Sequence, residues 1–218
     1  MKALALNGSP RRAGNTATML EHALEGAATQ GAETKLVHLH DLTFTGCTSC
    51  FACKRKNAQT NGRCVLRDDA TALLDHALES DVLLLGSPLY LGGVTSAMKA
   101  LFERLVFPNL SYDVPDRHCF KGRIATGFVY TMGMPHALVE TAGYSALFKA
   151  NRSYLELLGG PSEYVTAADA YQFDDYSKYA ASNFNEQAKA RVRAECFPEE
   201  CAAAYRMGER LCQSVQLV

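Results

Sequence analysis

Neither sign of charge dominates this chain. Its 22 basic and 23 acidic residues leave a formal net charge of −1 over 218 residues. A chain so balanced has no bulk field to draw it to nucleic acid or to an acidic membrane surface. Long apolar runs are also missing. Runs such as Val82 to Leu85 are far too short to cross a bilayer. The opening residues, Met1-Lys2-Ala3-Leu4, lack the layout of a signal peptide and lead straight into an apolar segment. These absences set the expectation of a cytoplasmic protein with no nucleic-acid and no membrane partner. Repeats and low-complexity linkers are lacking too. One domain is therefore expected over residues 1–168, with a C-terminal helical extension, 169–218, that is part of it.

What is present begins at Asn7-Gly8-Ser9-Pro10-Arg11-Arg12-Ala13-Gly14-Asn15-Thr16. An apolar run, Ala3 to Leu6, precedes it, and a helical pattern follows. A turn-rich loop between a strand and a helix aims backbone N–H groups at the helix start, where the helix dipole favours an anion. Ser9, Asn15 and Thr16 add short hydrogen-bonding side chains, and Arg11 adds a permanent positive charge. The stretch reads as a phosphate cradle. It lacks the Rossmann G-x-G-x-x-G and the G-K-[ST] of a P-loop, which disfavours a dinucleotide fingerprint and a nucleotidase cradle.

Further along, strands are expected at about 2–6, 34–39, 81–86, 123–130 and 163–167. Helices are expected from Asn15, as N-cap, to about 30, then at about 70–79, from Thr95 or Ser96 to near Pro108, and at about 140–158. One or two more, broken near Pro198, follow in the tail. The unbroken run Val82-Leu83-Leu84-Leu85 suits a parallel strand covered on both faces. Five strands alternating with helices predict a doubly wound parallel α/β sheet. In such sheets ligands sit outside the strands' carboxyl ends. Three loops fall there: the phosphate loop, Ser87 to Gly93, and Thr131 to Pro135.

These stretches carry a family likeness. Asn7 to Arg11 with Gly14-Asn15-Thr16, then Gly86-Ser87-Pro88-Leu89-Tyr90, then Ala97-Met98-Lys99 with Glu103-Arg104, resemble the flavodoxin-like NADPH-dependent FMN reductase family over about residues 1–168. The resemblance implies a flavodoxin-like sheet of order 2-1-3-4-5, bound FMN, and a homodimer or a dimer of dimers. It places Ser9, Arg11, Asn15 and Thr16 on the FMN phosphate. It places Pro88, Leu89, Tyr90, Leu91 and Gly92 on one side of the ring and ribityl chain, and Thr131, Met132 and Gly133 on the other. Hydride or electron transfer by a flavin needs no acid–base side chain, so no catalytic residue is expected from the protein itself. Met98 reads as core, and Lys99 and Arg104 as surface or helix-end contacts. His136, just after the third loop, reads as a solvent-facing residue, and His118 as a loop residue.

Eight cysteines are many for a chain without a secretory signal, where disulfides are not expected. Cys47, Cys50, Cys53 and Cys64 crowd into eighteen residues. The stretch resembles the iron–sulfur flavoprotein branch of the family, but ten residues separate Cys53 from Cys64, more than in the compact motif. Three readings stay open: a [4Fe–4S] cluster, a structural zinc site, or a plain thiol-bearing loop. Cys119, Cys196, Cys201 and Cys212 read as small buried hydrophobes.

The expected function is an FMN oxidoreductase that uses NAD(P)H to reduce a quinone, a flavin or another small acceptor. With a cluster, a ferredoxin-like donor would feed single electrons to FMN instead. A third reading is a non-enzymatic flavodoxin-like electron carrier. The near-neutral charge and the cysteine loop count against it. A phospho-accepting receiver domain needs acidic residues at the end of the first strand, where this chain has Asn7 and Gly8.

Overall fold

Leu4 and Leu6 face one way in the first strand, and Ala3 and Ala5 the other, and both sets are buried. The same alternation recurs in the run 82–85, where Leu83 and Leu85 join the first set and Val82 and Leu84 the second. A strand buried on both faces in this way must lie inside a sheet with helices on either side. The computed structural model, which describes residues 1–56, 60, 62–113 and 119–216, has that arrangement. His118 lies outside the described residues.

The elements are β1 (Lys2–Asn7), α1 (Asn15–Thr29), β2 (Glu33–His38), α2 (Ala70–Leu78), β3 (Val82–Tyr90), β4 (Gly93–Val94) and α3 (Ser96–Val106). They continue with β5 (Ile124–Thr131), α4 (His136–Val139), α5 (Tyr144–Leu155), β6 (Gly159–Ala167), α6 (Glu186–Glu195) and α7 (Phe197–Gln216). Five strands pair in parallel in the order β2-β1-β3-β5-β6, and β4 returns antiparallel on the end of β3. With that two-residue strand set aside, the order is the flavodoxin-like 2-1-3-4-5. One face is covered by α2, α3 and α5, and the other by α1 and α7. Among the described residues no helix is long and apolar enough to cross a membrane.

Several boundaries differ from the sequence reading, each for a local reason. The expected loop after β3 is mostly strand. Ser87 and Pro88 still pair with β5, and a hairpin turns on Leu91 and Gly92, at φ of 50° and 87°. Positive φ at both turn residues is what a two-residue hairpin with the twist of its strands requires. The expected helix over 140–158 is α5, which starts only at Tyr144 because Gly143 before it lies in the left-handed region at φ 79°; α4 lies ahead of the expected span. Asn15 is the first residue of α1, not its cap. Gly14 holds that place and no side chain caps the helix. The strand β6 begins at Gly159, earlier than expected. The tail breaks at Cys196, and Pro198 sits in the first turn of α7, where its missing N–H leaves no helical bond unmade.

The C-terminal helix lies directly on α1. Its Phe197, Cys201, Ala204, Met207, Leu211 and Cys212 join one core with Met19, Leu20, Ala23 and Leu24. The approach is close because glycine faces backbone on both helices. A Cβ on Gly26 would stand 2.1 Å from the Tyr205 carbonyl oxygen, and one on Gly208 would stand 1.9 Å from that of Ala23. Backbone cannot yield as a side chain can, so Gly208→Val must push the helices apart. Overpacking of this kind destabilises by roughly 1–3 kcal/mol. Urea unfolding of Gly208→Val should read a loss in that range, and an unchanged midpoint would contradict the packing described.

Candidate functional site

The carboxyl ends of β1, β3 and β5 open onto one cavity of about 580 Å³. Its first wall is the loop after β1, and that loop is knitted by its own side chains. Asn7 is fully buried; its Oδ1 accepts the Ser9 N–H at 2.9 Å and its Nδ2 meets His38 Nδ1 at 2.9 Å. The Ser9 Oγ accepts the Arg11 N–H at 3.1 Å. Such short side-chain-to-backbone bonds fix a turn where regular structure has stopped. The loop is also pinned from behind. The Gly8 N–H donates to the Gly86 carbonyl at 2.8 Å, and the Thr95 hydroxyl donates to the Gly8 carbonyl at 2.8 Å. A Cβ on Gly8 would stand 2.8 Å from that of Met98, so glycine is needed for the approach. The uncapped start of α1 then presents its leading N–H groups to the cavity, with the positive end of its dipole.

Ten of the twelve residues picked from the sequence line this cavity: Ser9, Arg11, Asn15, Thr16, Pro88, Leu89, Tyr90, Thr131, Met132 and Gly133. Thr16 and Thr131 join the first and third loops through their hydroxyls, 2.7 Å apart. Leu91 and Gly92 are not brought in. They form the hairpin tip, where Leu91 is fully exposed. The cavity has two ends of different character. Arg11, Ser9 and the start of α1 make one polar and cationic, while Pro88, Leu89, Tyr90 and Met132 make the other largely apolar.

A fourth wall was not foreseen. Ala170, Tyr171, Gln172, Phe173, Asp174 and Tyr179 come from the segment between β6 and α6, and Arg193 from α6 itself. Their backbone and side chains are tied to the other walls. Arg11 donates to the Gln172 carbonyl. Asn15 Nδ2 donates to the Tyr171 carbonyl at 3.1 Å, and Arg193 Nη1 donates to Asn15 Oδ1 at 2.6 Å. Lys189 is buried, with Nζ 2.7 Å from Asp169 Oδ1 and 3.0 Å from the Gly133 carbonyl. Phe173 stacks on Tyr179 at 4.1 Å and meets Tyr176 edge-on at 5.0 Å. The signals in the sequence were the aromatic density of 171–179 and the paired cations Lys189 and Arg193, four apart on one helix face. His136 lies outside this cavity, exposed and paired with Glu200 at 2.9 Å. Burial holds the Glu200 carboxyl above its ordinary value, against the opposing pull of the Ala168 N–H and His136.

A second, smaller cavity lies beside α3. Cys47, Cys50, Cys53 and Cys64 all line it, with Phe51, Val65, Leu66, Phe107 and Pro108. The ten-residue gap closes because both its ends are moored to the same turn after α3. Lys54 Nζ donates to the carbonyls of Phe107 and Leu110, and Asn109 Nδ2 donates to the Gly62 carbonyl at 3.2 Å. The volume of this cavity is only about 10 Å³. Among the described residues no three His, Cys, Asp or Glu side chains group closely enough for a single metal ion. That disfavours zinc. A cubane, larger than one ion, spreads its ligands further apart, and Cys47 and Cys50 are exposed. The donor set also suits sulfur. The Ser49 N–H points to Cys47 Sγ at 3.4 Å, and Ser49 and Phe51 hold positive φ, at 56° and 53°. Burial raises the Cys53 thiol, partly offset by Lys54, and Cys64 and Cys47 add to the rise as neighbouring charges.

Arg104 is the largest departure from the sequence reading. It is fully buried, not a surface or helix-end contact. Met98 and Lys99 do stand as read, the first in the core and the second on the surface 3.8 Å from Glu103. Of the remaining cysteines, Cys201 and Cys212 are buried small hydrophobes, their thiols pushed up to about 11 by burial. Cys119 and Cys196 are exposed instead.

Comparison with known proteins adds the following. The family model described as NADPH-dependent FMN reductase matches residues 1–152. An iron–sulfur flavoprotein of Methanocaldococcus jannaschii is 38% identical over 104 residues, 48% of this chain and 51% of that protein. An iron–sulfur flavoprotein of Archaeoglobus fulgidus is 36% identical over 144 residues, 66% of this chain and 60% of that protein. The chain thus spans about half to three-fifths of the length of these curated relatives. The solved structure of an NAD(P)H:quinone oxidoreductase from Methanothermobacter marburgensis superposes with a TM-score of 0.67 at 16% identity, covering 97% of this chain and 96% of that one. At such identity the likeness is one of fold. A strand-order match, a cavity at the strands' carboxyl ends and a family model over most of the chain agree, and the chain belongs to the NADPH-dependent FMN reductase family.

Proposed function

We propose that the cavity at the strands' carboxyl ends binds FMN, and that the chain is an FMN-dependent oxidoreductase passing electrons from NAD(P)H to a quinone, a free flavin or another small acceptor. The observation that carries this reading is the polarity of the cavity, cationic and rich in N–H donors at one end and largely apolar at the other. A flavin mononucleotide has the same division, a dianionic phosphate and a flat ring. The phosphate belongs with Ser9, Asn15, Thr16, the leading N–H groups of α1, Arg11 and Arg193. The ring belongs between Pro88, Leu89 and Tyr90 on one side and Thr131, Met132 and Gly133 on the other. Bound there, FMN would supply the hydride and single-electron chemistry. The chain's own part is to hold and orient the cofactor and to limit water around it. Tyr171, Phe173 and Tyr179 serve the last purpose. In this reading residues 1–168 form the FMN-binding domain, and 169–218 extend the same domain and complete its site. A homodimer in the cytoplasm accords with the family resemblance. The description of the family and the name of the structural neighbour support a nicotinamide donor and a small acceptor.

A second reading adds a [4Fe–4S] cluster on Cys47, Cys50, Cys53 and Cys64, fed by a ferredoxin-like donor. It is favoured by the gathering of the four thiols on one cavity and by curated relatives named iron–sulfur flavoproteins. The cluster would supply single-electron transfer.

The purified protein should take up FMN stoichiometrically and bleach anaerobically with NADPH or NADH. A protein that takes up no FMN sinks the first reading, and one that holds FMN but bleaches only with reduced ferredoxin favours the second. Ser9→Ala and Arg193→Met should each raise the FMN dissociation constant about tenfold, the loss of one charge-assisted hydrogen bond. Unchanged affinity in both variants, measured by quenching of flavin fluorescence, would remove the phosphate assignment. Anaerobic preparations should hold about four iron and four sulfide per chain on the second reading. Preparations without iron leave plain thiols.

A further inference from the structure

The Arg104 side chain is withdrawn from solvent in the last turns of α3. Its guanidinium reaches both flanks of the cysteine loop. Nη1 donates to the Thr45 carbonyl at 3.0 Å, two residues before Cys47, and Nη2 donates to the Leu66 carbonyl at 3.2 Å, two residues after Cys64. Nη1 also meets Asp68 Oδ2 at 2.5 Å. Asp68, just ahead of α2, accepts the N–H of its first residue, Ala70, at 3.1 Å, so the fork is anchored to a second helix.

One donor is left over. Arg104 Nε has no hydrogen-bond partner, although it is buried and its residue lines the cavity of the four cysteines. Buried donors without partners are rare in folded proteins and ask for an explanation. The polar groups that line this cavity are the four thiols, the Thr48 hydroxyl and the Glu103 carboxylate; Glu103 already accepts the Cys47 N–H at 3.4 Å and faces Lys99 at 3.8 Å, and the thiols are the groups left to Nε. Sulfur carrying negative charge, as thiolate or as a cluster sulfur, accepts an N–H bond, and a guanidinium at its side stabilises the more negative, reduced state.

We propose that Arg104 is a positioning residue of the cysteine site: it draws Cys47 and Cys64 to one cavity by tying both flanks of their loop, and its Nε–H donates to sulfur there, raising the potential of the cluster. This rests on the iron–sulfur reading above. It also accounts for how a ten-residue gap between Cys53 and Cys64 remains compatible with ligation. The loop is closed by helix α3, not by its own length.

The test compares wild type, Arg104→Gln and Arg104→Lys, each reconstituted anaerobically with iron and sulfide. Bound iron and sulfide, bound FMN and the cluster midpoint potential from EPR-monitored titration are read for each. Arg104→Gln should keep wild-type FMN, hold less iron and show a midpoint moved to more negative values. Arg104→Lys, which restores the charge without the fork, should recover part of that shift. A merely structural role would lower iron content and leave the midpoint of the remaining cluster unmoved, which overturns the proposal. Should Arg104→Gln fail to fold, wild-type protein grown on arginine enriched in heavy nitrogen decides. Pulsed EPR of the reduced cluster should read a coupling to that nitrogen, and none would overturn the donation. Wild type that takes up FMN but no iron or sulfide overturns both this inference and the iron–sulfur reading, and leaves the flavin reading standing.

Discussion

The cavity at the strands' carboxyl ends depends on how closely the first loop approaches the third strand. The Gly8 N–H bonds the Gly86 carbonyl, and Thr95 closes the other side by bonding the Gly8 carbonyl. No Cβ fits on Gly8, and one on Gly86 would stand 2.6 Å from a Leu20 methyl. This one contact does three things at once. It seats the loop that ends β1 against β3, it aims α1 at the cavity, and it sets the N-cap of α3, where the Thr95 hydroxyl also accepts the Met98 N–H. The helix α3 then runs from the larger cavity to the smaller one, and its Arg104 and the turn at 107–110 gather the cysteine loop. The two cavities are thus opposite ends of a chain of contacts that begins between two glycines.

The second dependence is on the tail. Residues beyond 168 do not merely cover the sheet. The helix α7 completes the α1 face, and the segment before it closes the cavity through Arg193, Lys189 and the carbonyls of Tyr171 and Gln172. The family model ends at residue 152. The part of the cavity that it covers holds the three strand-end loops, and the tail supplies the remaining wall.

Much of this could be read in the residues before any coordinates. A run such as Val82 to Leu85 fits few settings other than a central parallel strand, and the position of strand ends then follows from the alternation of strands and helices. The turn-rich stretch 7–16 states its own geometry through Gly, Pro, Ser and Asn. What could not be read has a common cause. Arg193 and Tyr171 reach Asn15 across more than 150 residues of chain, and no local pattern reports a contact of that range. Arg104 did leave a trace, since it interrupts the apolar stripe of Leu101, Phe102 and Leu105, yet a cation there is more often a helix-end contact. The hairpin at 89–94 and the late start of α5 after Gly143 were misread because a single glycine can end, cap or turn an element, and only φ distinguishes the three.

In the proposed reading the loop after β1 binds a phosphate, and the cavity at the strands' carboxyl ends therefore selects a flavin mononucleotide. Calorimetric titration of the purified protein, freed of bound flavin, with FMN and with riboflavin in parallel tests it most directly. The two ligands share the ring and the ribityl chain and differ in the phosphate alone. The account predicts that FMN binds about a hundredfold tighter or better, the worth of two or more charge-assisted hydrogen bonds. Equal affinity for the two would contradict it.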